Sequence, residues 1–147
     1  MRFVVLALLV AGLVACDGDS TQPLFREDYA ATYVQVRDCR SSGDHQLHKI
    51  RILADPAAVE TYTTRATPFP VGAIVLKEEY DFADTSCTGE LLEWTVMQKL
   101  DATSWSWQRV TAQREVTFLD EEPARCINCH VQCGRAPDGH DGTCALP

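Results

Sequence analysis

Cys126-Ile127-Asn128-Cys129-His130 constrains this chain more than any other stretch of it. Whatever fold forms must present two thiols and the imidazole that follows them on one short segment. Cys-x-x-Cys-His is the attachment signature of a c-type haem. Thiols at this spacing reach the two vinyl groups and form thioethers. The next residue then sets a neutral imidazole under the iron. The reading is one covalent haem c, held by Cys126 and Cys129, with His130 as axial iron ligand. Other chemistries compete for the same residues. A thioredoxin-type redox pair belongs at a helix start in a βαβ unit, whereas this pair lies near the C-terminus. Zinc held by Cys126, Cys129, Cys133 and Cys144 has fitting spacing in its first pair. Export argues against zinc, because thiolates oxidise outside the cytosol. A plain disulfide between Cys126 and Cys129 is the remaining reading.

The N-terminus supplies the argument for export. Arg2 precedes an apolar run from Phe3 to Ala15, and the chain turns polar at Asp17. That run is shorter than the roughly 20 residues a membrane-spanning helix needs. It reads as an export signal and is set aside from the fold. Leu13-Val14-Ala15-Cys16 resembles the bacterial lipobox, in which Cys16 receives a lipid before cleavage. The organisation expected is a lipoprotein signal peptide over 1–15, a tether over 16–22 after lipidated Cys16, and a haem domain over 23–147. The domain would be exported, lipid-anchored to a bacterial membrane and facing the periplasm or the outside. An ordinary secretory signal that happens to end in Cys is the bland alternative.

Cysteine arithmetic agrees with this organisation. Seven cysteines, less one lipidated and two on haem, leave Cys39, Cys87, Cys133 and Cys144. An even remainder in an oxidising space suggests two disulfides, with three possible connectivities. The expected pairs are Cys39–Cys87, tying two loops, and Cys133–Cys144, pinning the tail. Closing a loop of the second size adds about 3 kcal/mol by the chain-entropy estimate. The length of 147 residues allows one domain. A net charge of −8 argues against a nucleic-acid surface, which needs a basic face.

Patterning along the chain predicts an α+β fold, with an antiparallel β-sheet of four to five strands, two to three helices, and haem attached near the C-terminus. Residues 23–37 carry apolar positions on a helical stripe and are expected to form a helix, followed by a loop over 38–46. Strands are expected over 47–53, 73–80, 91–100 and 104–112, with a short one over 115–119. The last long pair should form a hairpin around Asp101. Asp55-Pro56 reads as a helix start, with Asp55 capping and Pro56 at the first position; the helix should end near Arg65. The chain after Gly134 reads as irregular.

Three stretches together resemble the cytochrome P-460 family: Lys49-Ile50-Arg51 with Ala54-Asp55-Pro56, then Phe69-Pro70-Val71-Gly72-Ala73-Ile74-Val75-Leu76-Lys77-Glu78, then the terminal Cys126-Ile127-Asn128-Cys129-His130. The resemblance runs from about Phe25 to Pro147. It implies a five-coordinate haem with an open side that binds small nitrogen species such as hydroxylamine or nitric oxide. Some members are hydroxylamine oxidoreductases with a lysine crosslinked to the haem ring. The matching position is Lys77, and Arg51 matches an arginine near the haem pocket. Relatives named cytochromes c-prime-beta lack the crosslink and bind nitric oxide or carbon monoxide. An oxidising member needs a pocket carboxylate as proton acceptor, with Glu90 and Glu93 as nearby candidates, and a redox partner to take the electrons. A homodimer is compatible with the family.

The residues themselves carry part of this. Ala73, Val75, Lys77 and Glu79 share one strand face by period two, so Lys77 can face a haem. A solvated edge lysine is the bland reading. Arg51 suits either a surface ion pair or a haem propionate. Trp105 and Trp107 share a face and can wall a pocket or simply pack. Met97 reads as core, and His45, His48 and His140 as loop or surface residues. The rival functions are a non-enzymatic gas-binding or electron-transfer cytochrome, and a zinc- or disulfide-stapled lipoprotein binding module.

Overall fold

Strand Lys49–Ala54 alternates in a way that dictates the architecture: Ile50, Ile52 and Ala54 enter one apolar cluster, while Leu53 enters a second. A strand apolar on both faces must be covered on both sides. The computed structural model describes residues 22–43, 45–120 and 124–144. The signal, the tether up to Thr21 and the lipidation expected at Cys16 lie outside them. Among the described residues, no helix is long and apolar enough to cross a membrane.

Six strands form one antiparallel sheet in sequence order: β1 (Val34–Ser41), β2 (Lys49–Ala54), β3 (Ile74–Tyr80), β4 (Leu91–Lys99), β5 (Trp105–Thr111) and β6 (Val116–Asp120). Helix α1 (Tyr29–Thr32) precedes the sheet, α2 (Val59–Thr64) joins β2 to β3, and α3 (Ala124–Cys133) follows β6. A pair of two-residue strands, β7 (Gly139–His140) and β8 (Thr143–Cys144), closes the chain. The α+β class stands, with six strands in the main sheet rather than four or five.

The extra strand comes from the segment expected to be helical over 23–37. Only Tyr29–Thr32 is helix, and from Val34 the backbone pairs with β2, Val34 opposite Ala54 and Gln35 opposite Leu53. The apolar positions that suggested a stripe divide between two tasks. Phe25 and Tyr29 pack on Trp94 beneath the sheet, whereas Val36 joins the cluster on the other face. Long-range pairing of a β-branched stretch overrides a weak helical period. The expected loop over 38–46 shrinks accordingly, and Leu47, at φ 64°, belongs to the turn and not to β2.

The helix start expected at Asp55-Pro56 falls at Val59 instead: Ala58 is the N-cap residue, with no side-chain cap, and Asp55 Oδ1, accepting the Ala58 amide at 2.8 Å, organises the turn that Pro56 occupies before it. The expected end holds, at left-handed Arg65. Asp101 Oδ1 accepts the amides of Thr103 and Ser104 and closes the β4–β5 hairpin. The tail after Gly134 is not irregular throughout. It folds back as the β7–β8 hairpin, close enough that a Cβ at Gly139 would strike the Cys133 and Thr143 carbonyls. Both expected disulfides, Cys39–Cys87 and Cys133–Cys144, are present.

Candidate haem site

The helix α3 brings the motif together by its periodicity. Cys126, Cys129 and His130 occupy positions i, i+3 and i+4 and therefore share a face. That face packs on β5, where the His130 ring meets Trp107 edge-on at 4.6 Å, and Cys126 packs against the core cluster. Cys126 and Cys129 are half-buried and stand outside both disulfides. The Cys133–Cys144 bridge removes two of the four thiolates that a zinc site would need.

The tautomer of His130 is set by its surroundings. Nδ1 lies 2.7 Å from the Gly142 carbonyl oxygen, which only accepts, so Nδ1 carries the proton. Nε2 is then the nitrogen with the lone pair, the state an axial ligand requires. The Gly142 loop is itself anchored from below. Lys99, buried at the end of β4, donates to Asp141 Oδ1 at 2.7 Å, the Phe69 amide donates to Asp141 Oδ2, and Trp105 Nε1 donates to the Asp141 carbonyl. Trp105 therefore braces the histidine loop, and of the two tryptophans Trp107 alone lines the cleft described next.

Between α3 and the sheet lies a cleft of about 1050 Å³. Small-molecule sites span roughly 300–1,000 Å³, so this one suits a large group. Its floor is apolar, with Ile50, Ile52, Val75, Met97 and Trp107, and one wall carries Cys126, Cys129 and His130. A large apolar cavity beside two thiols and a lone-pair-bearing imidazole fits a thioether-bound haem. Lys77 lines the same cleft, as the shared strand face required.

Arg51 does not reach it. β2 alternation sends Arg51 through to the opposite face, where Nε donates to Glu78 Oε2 at 2.6 Å and Nη2 donates to the Tyr80 hydroxyl at 2.9 Å. Arg40, on β1, is an arginine that the cleft does contain. Glu90 is exposed in the 81–90 loop. Glu93 lies beyond the cleft lining and pairs with Arg109 at 3.5 Å. Met97 is core, and His140 Nε2 donates to the Thr67 carbonyl oxygen at 2.7 Å.

A polar cluster that the sequence reading missed sits at the Lys77 end. Glu79, 1% exposed, accepts from His45 Nδ1 (3.1 Å), His48 Nδ1 (2.9 Å) and Thr95 Oγ1 (3.0 Å). Lys77 Nζ lies 2.7 Å from His45 Nε2. Burial alone would raise the Glu79 carboxyl. The hydrogen bonds and charges of His45, His48 and Lys77 outweigh it and hold the group down at about 2. The strand period put Glu79 beside Lys77, but the histidines arrive through a turn with positive φ at Gln46 and Leu47, which no local pattern announced.

Comparison with curated proteins and with solved structures finds no match. The family model described as Cytochrome P460 matches residues 26–136, from the turn ahead of α1 through the Cys-x-x-Cys-His helix. With most of the described domain covered, and with the cleft and its motif in place, the chain belongs to the cytochrome P460 family and is a c-type haem cytochrome.

Proposed function

We propose that the protein is an exported monohaem cytochrome, anchored to a bacterial membrane through lipid at Cys16, whose cleft binds a small nitrogen species. One observation carries the reading: a single cleft is lined by Cys126, Cys129 and His130 and also by Lys77, His45 and Glu79. Cys126 and Cys129 would hold the haem c through thioethers, and His130 would ligate it through Nε2. When bound, the haem would supply redox chemistry and small-ligand binding at its iron. Trp107 fixes the histidine ring, and the apolar floor excludes water. Arg40 offers a fork for a haem carboxylate. Lys77 presents an amine to the cleft, suited to a crosslink with the haem edge. In that case the protein oxidises its ligand, of the hydroxylamine class, and passes electrons to an external redox partner.

Absorption spectra of protein made with a haem-attachment system test this directly. Haem should stay on the polypeptide after denaturation and be lost from a Cys126→Ser/Cys129→Ser variant. A red-shifted ferrous band that Lys77→Met abolishes would establish the crosslink and make hydroxylamine turnover the next measurement. An ordinary high-spin c-type spectrum would leave binding without oxidation. Absence of covalent haem would overturn the reading.

A further inference from the structure

The polar end of the cleft has a directionality that its geometry fixes. Lys77 Nζ can only donate, so His45 Nε2, 2.7 Å away, accepts. The Glu79 carboxylate can only accept, so His45 Nδ1, 3.1 Å away, donates. The three groups form an amine–imidazole–carboxylate line from the cleft into the sheet. Glu79 is further held by His48 on its other oxygen and by Thr95, so its position does not depend on His45. His45 is 24% exposed at its side chain, which gives its ring access to water as well as to Lys77.

We propose that Lys77, His45 and Glu79 are the proton relay of the cleft, carrying a proton from a protic nitrogen ligand to solvent, with His45 as the carrier. The Lys77 N–H bond breaks and its proton passes to His45 Nε2. The neutral amine then takes the proton released by the ligand N–H. The imidazolium so formed is stabilised by Glu79 through Nδ1–H until the part-exposed ring turns off Lys77 and Nε2 gives its proton to water. No electron moves in these steps, and one proton leaves for each that enters. The arrangement has the logic of a carboxylate that orients an imidazole and stabilises its charged form. The charged groups around it are Lys77 and Glu79 on β3, Glu93 on β4, Arg109 on β5, Arg40 on β1 and His48 on its own turn. Lys77 and Glu79 touch the ring itself. The relay rests on the reading that the cleft holds a haem with an open position, and on a Lys77 amine that is not crosslinked to it; a red-shifted ferrous band abolished by Lys77→Met overturns the relay.

The test is the infrared stretch of carbon monoxide bound to the reduced holoprotein, recorded from pH 5 to 9. This band reports the charge and donors facing the ligand and requires no turnover. In the wild type it should move between two positions with a single titration. His45→Gln should give one position at all pH values. Glu79→Gln should keep the titration but lower its midpoint by about 1 pH unit or more, since the imidazolium loses its counter-charge. His48→Gln should leave the two positions in place. A band that is fixed across the range in the wild type overturns the relay, as does a titration that survives unchanged in His45→Gln. Covalent haem that takes up no carbon monoxide overturns the open-site reading, and the relay with it.

Discussion

Glu78 and Glu79 are neighbours on β3, both almost fully buried, and they do opposite things. Alternation sends Glu78 to the face covered by the N-terminal segment. There it accepts from Arg51, Tyr80 and Tyr29, and Trp94 donates to the Tyr29 hydroxyl in turn. Its charged partner is an arginine, which stays protonated at any physiological pH. Burial first, and then the Glu78 hydrogen bond, push Tyr29 up to about 12, so this face holds one charge state. Glu79 faces the cleft, and its direct partners are two imidazoles and the Thr95 hydroxyl, with no arginine among them. One face is a closed joint with a permanent counter-ion. The other is an open site whose carboxylate meets histidines instead of a permanent cation. A buried carboxylate is not by itself a sign of chemistry; the kind of cation it faces decides.

The largest effect should come from breaking the closed joint. Arg51→Met leaves Glu78 charged and buried without its cation, which typically costs about 3–5 kcal/mol. Chemical denaturation should show the midpoint falling by that equivalent, while the haem absorption of the folded protein stays unchanged. A changed haem spectrum with little loss of stability would instead place Arg51 in the service of the cleft.

Next comes acid. The Glu79 carboxyl lies near 2 in the fold, well below its ordinary range of about 4.3. A carboxyl lowered by folding stabilises the protein above its unfolded value, and that stability is lost as pH falls towards the folded value. The difference is worth about 3 kcal/mol, lost between roughly pH 4.5 and 2. Glu79→Gln should flatten the acid limb of stability in that window and lower stability at pH 7. Thermal unfolding from pH 2 to 7 reads both. An acid limb unchanged by the substitution would mean that other carboxyls control it.

How much of this was legible beforehand divides along the same two faces. Period-two alternation in β3 placed Lys77 and Glu79 on one face before any coordinates, and the spacing of Cys126, Cys129 and His130 specified their common helical face. Cysteine arithmetic gave the number of disulfides, because an even remainder had to be closed, but left three connectivities; the fold picks Cys39–Cys87 and Cys133–Cys144. Arg51 was legible as a strand residue but not as to its face. That assignment depends on register, and β2 register is set by pairing with β3, Ile52 opposite Lys77 and Arg51 opposite Glu78. β1 was hidden for a related reason, since its partner strand lies on the far side of a turn. Lys99 and Asp141 lie far apart in sequence and meet only because the tail folds under the β4 end. His45 and His48 needed a left-handed turn to bring both rings onto one carboxylate. Local pattern shows which residues share an element's face; it does not show which elements meet.

The smallest effect is the sharpest check on the open face. Glu93 lies directly across from Glu79 on the neighbouring strand, a like-charge pair that disfavours folding. Burial raises the Glu93 carboxyl; the Arg109 charge opposes that, and the Glu79 charge adds back less than Arg109 takes away. A carboxyl raised by folding costs stability once the pH exceeds its unfolded value. Glu93→Gln removes that cost, together with the long, half-exposed contact to Arg109, which is worth little. The expected result is a gain of about 0.5 kcal/mol at pH 7 that fades below pH 4 as the wild-type carboxyl protonates. Thermal midpoints of the two proteins at both pH values measure it. A loss at pH 7 would mean that Arg109 holds Glu93 more firmly than the repulsion drives it away. The open face would then contain a second closed joint, and the contrast between the faces would narrow to Glu79 and its histidines.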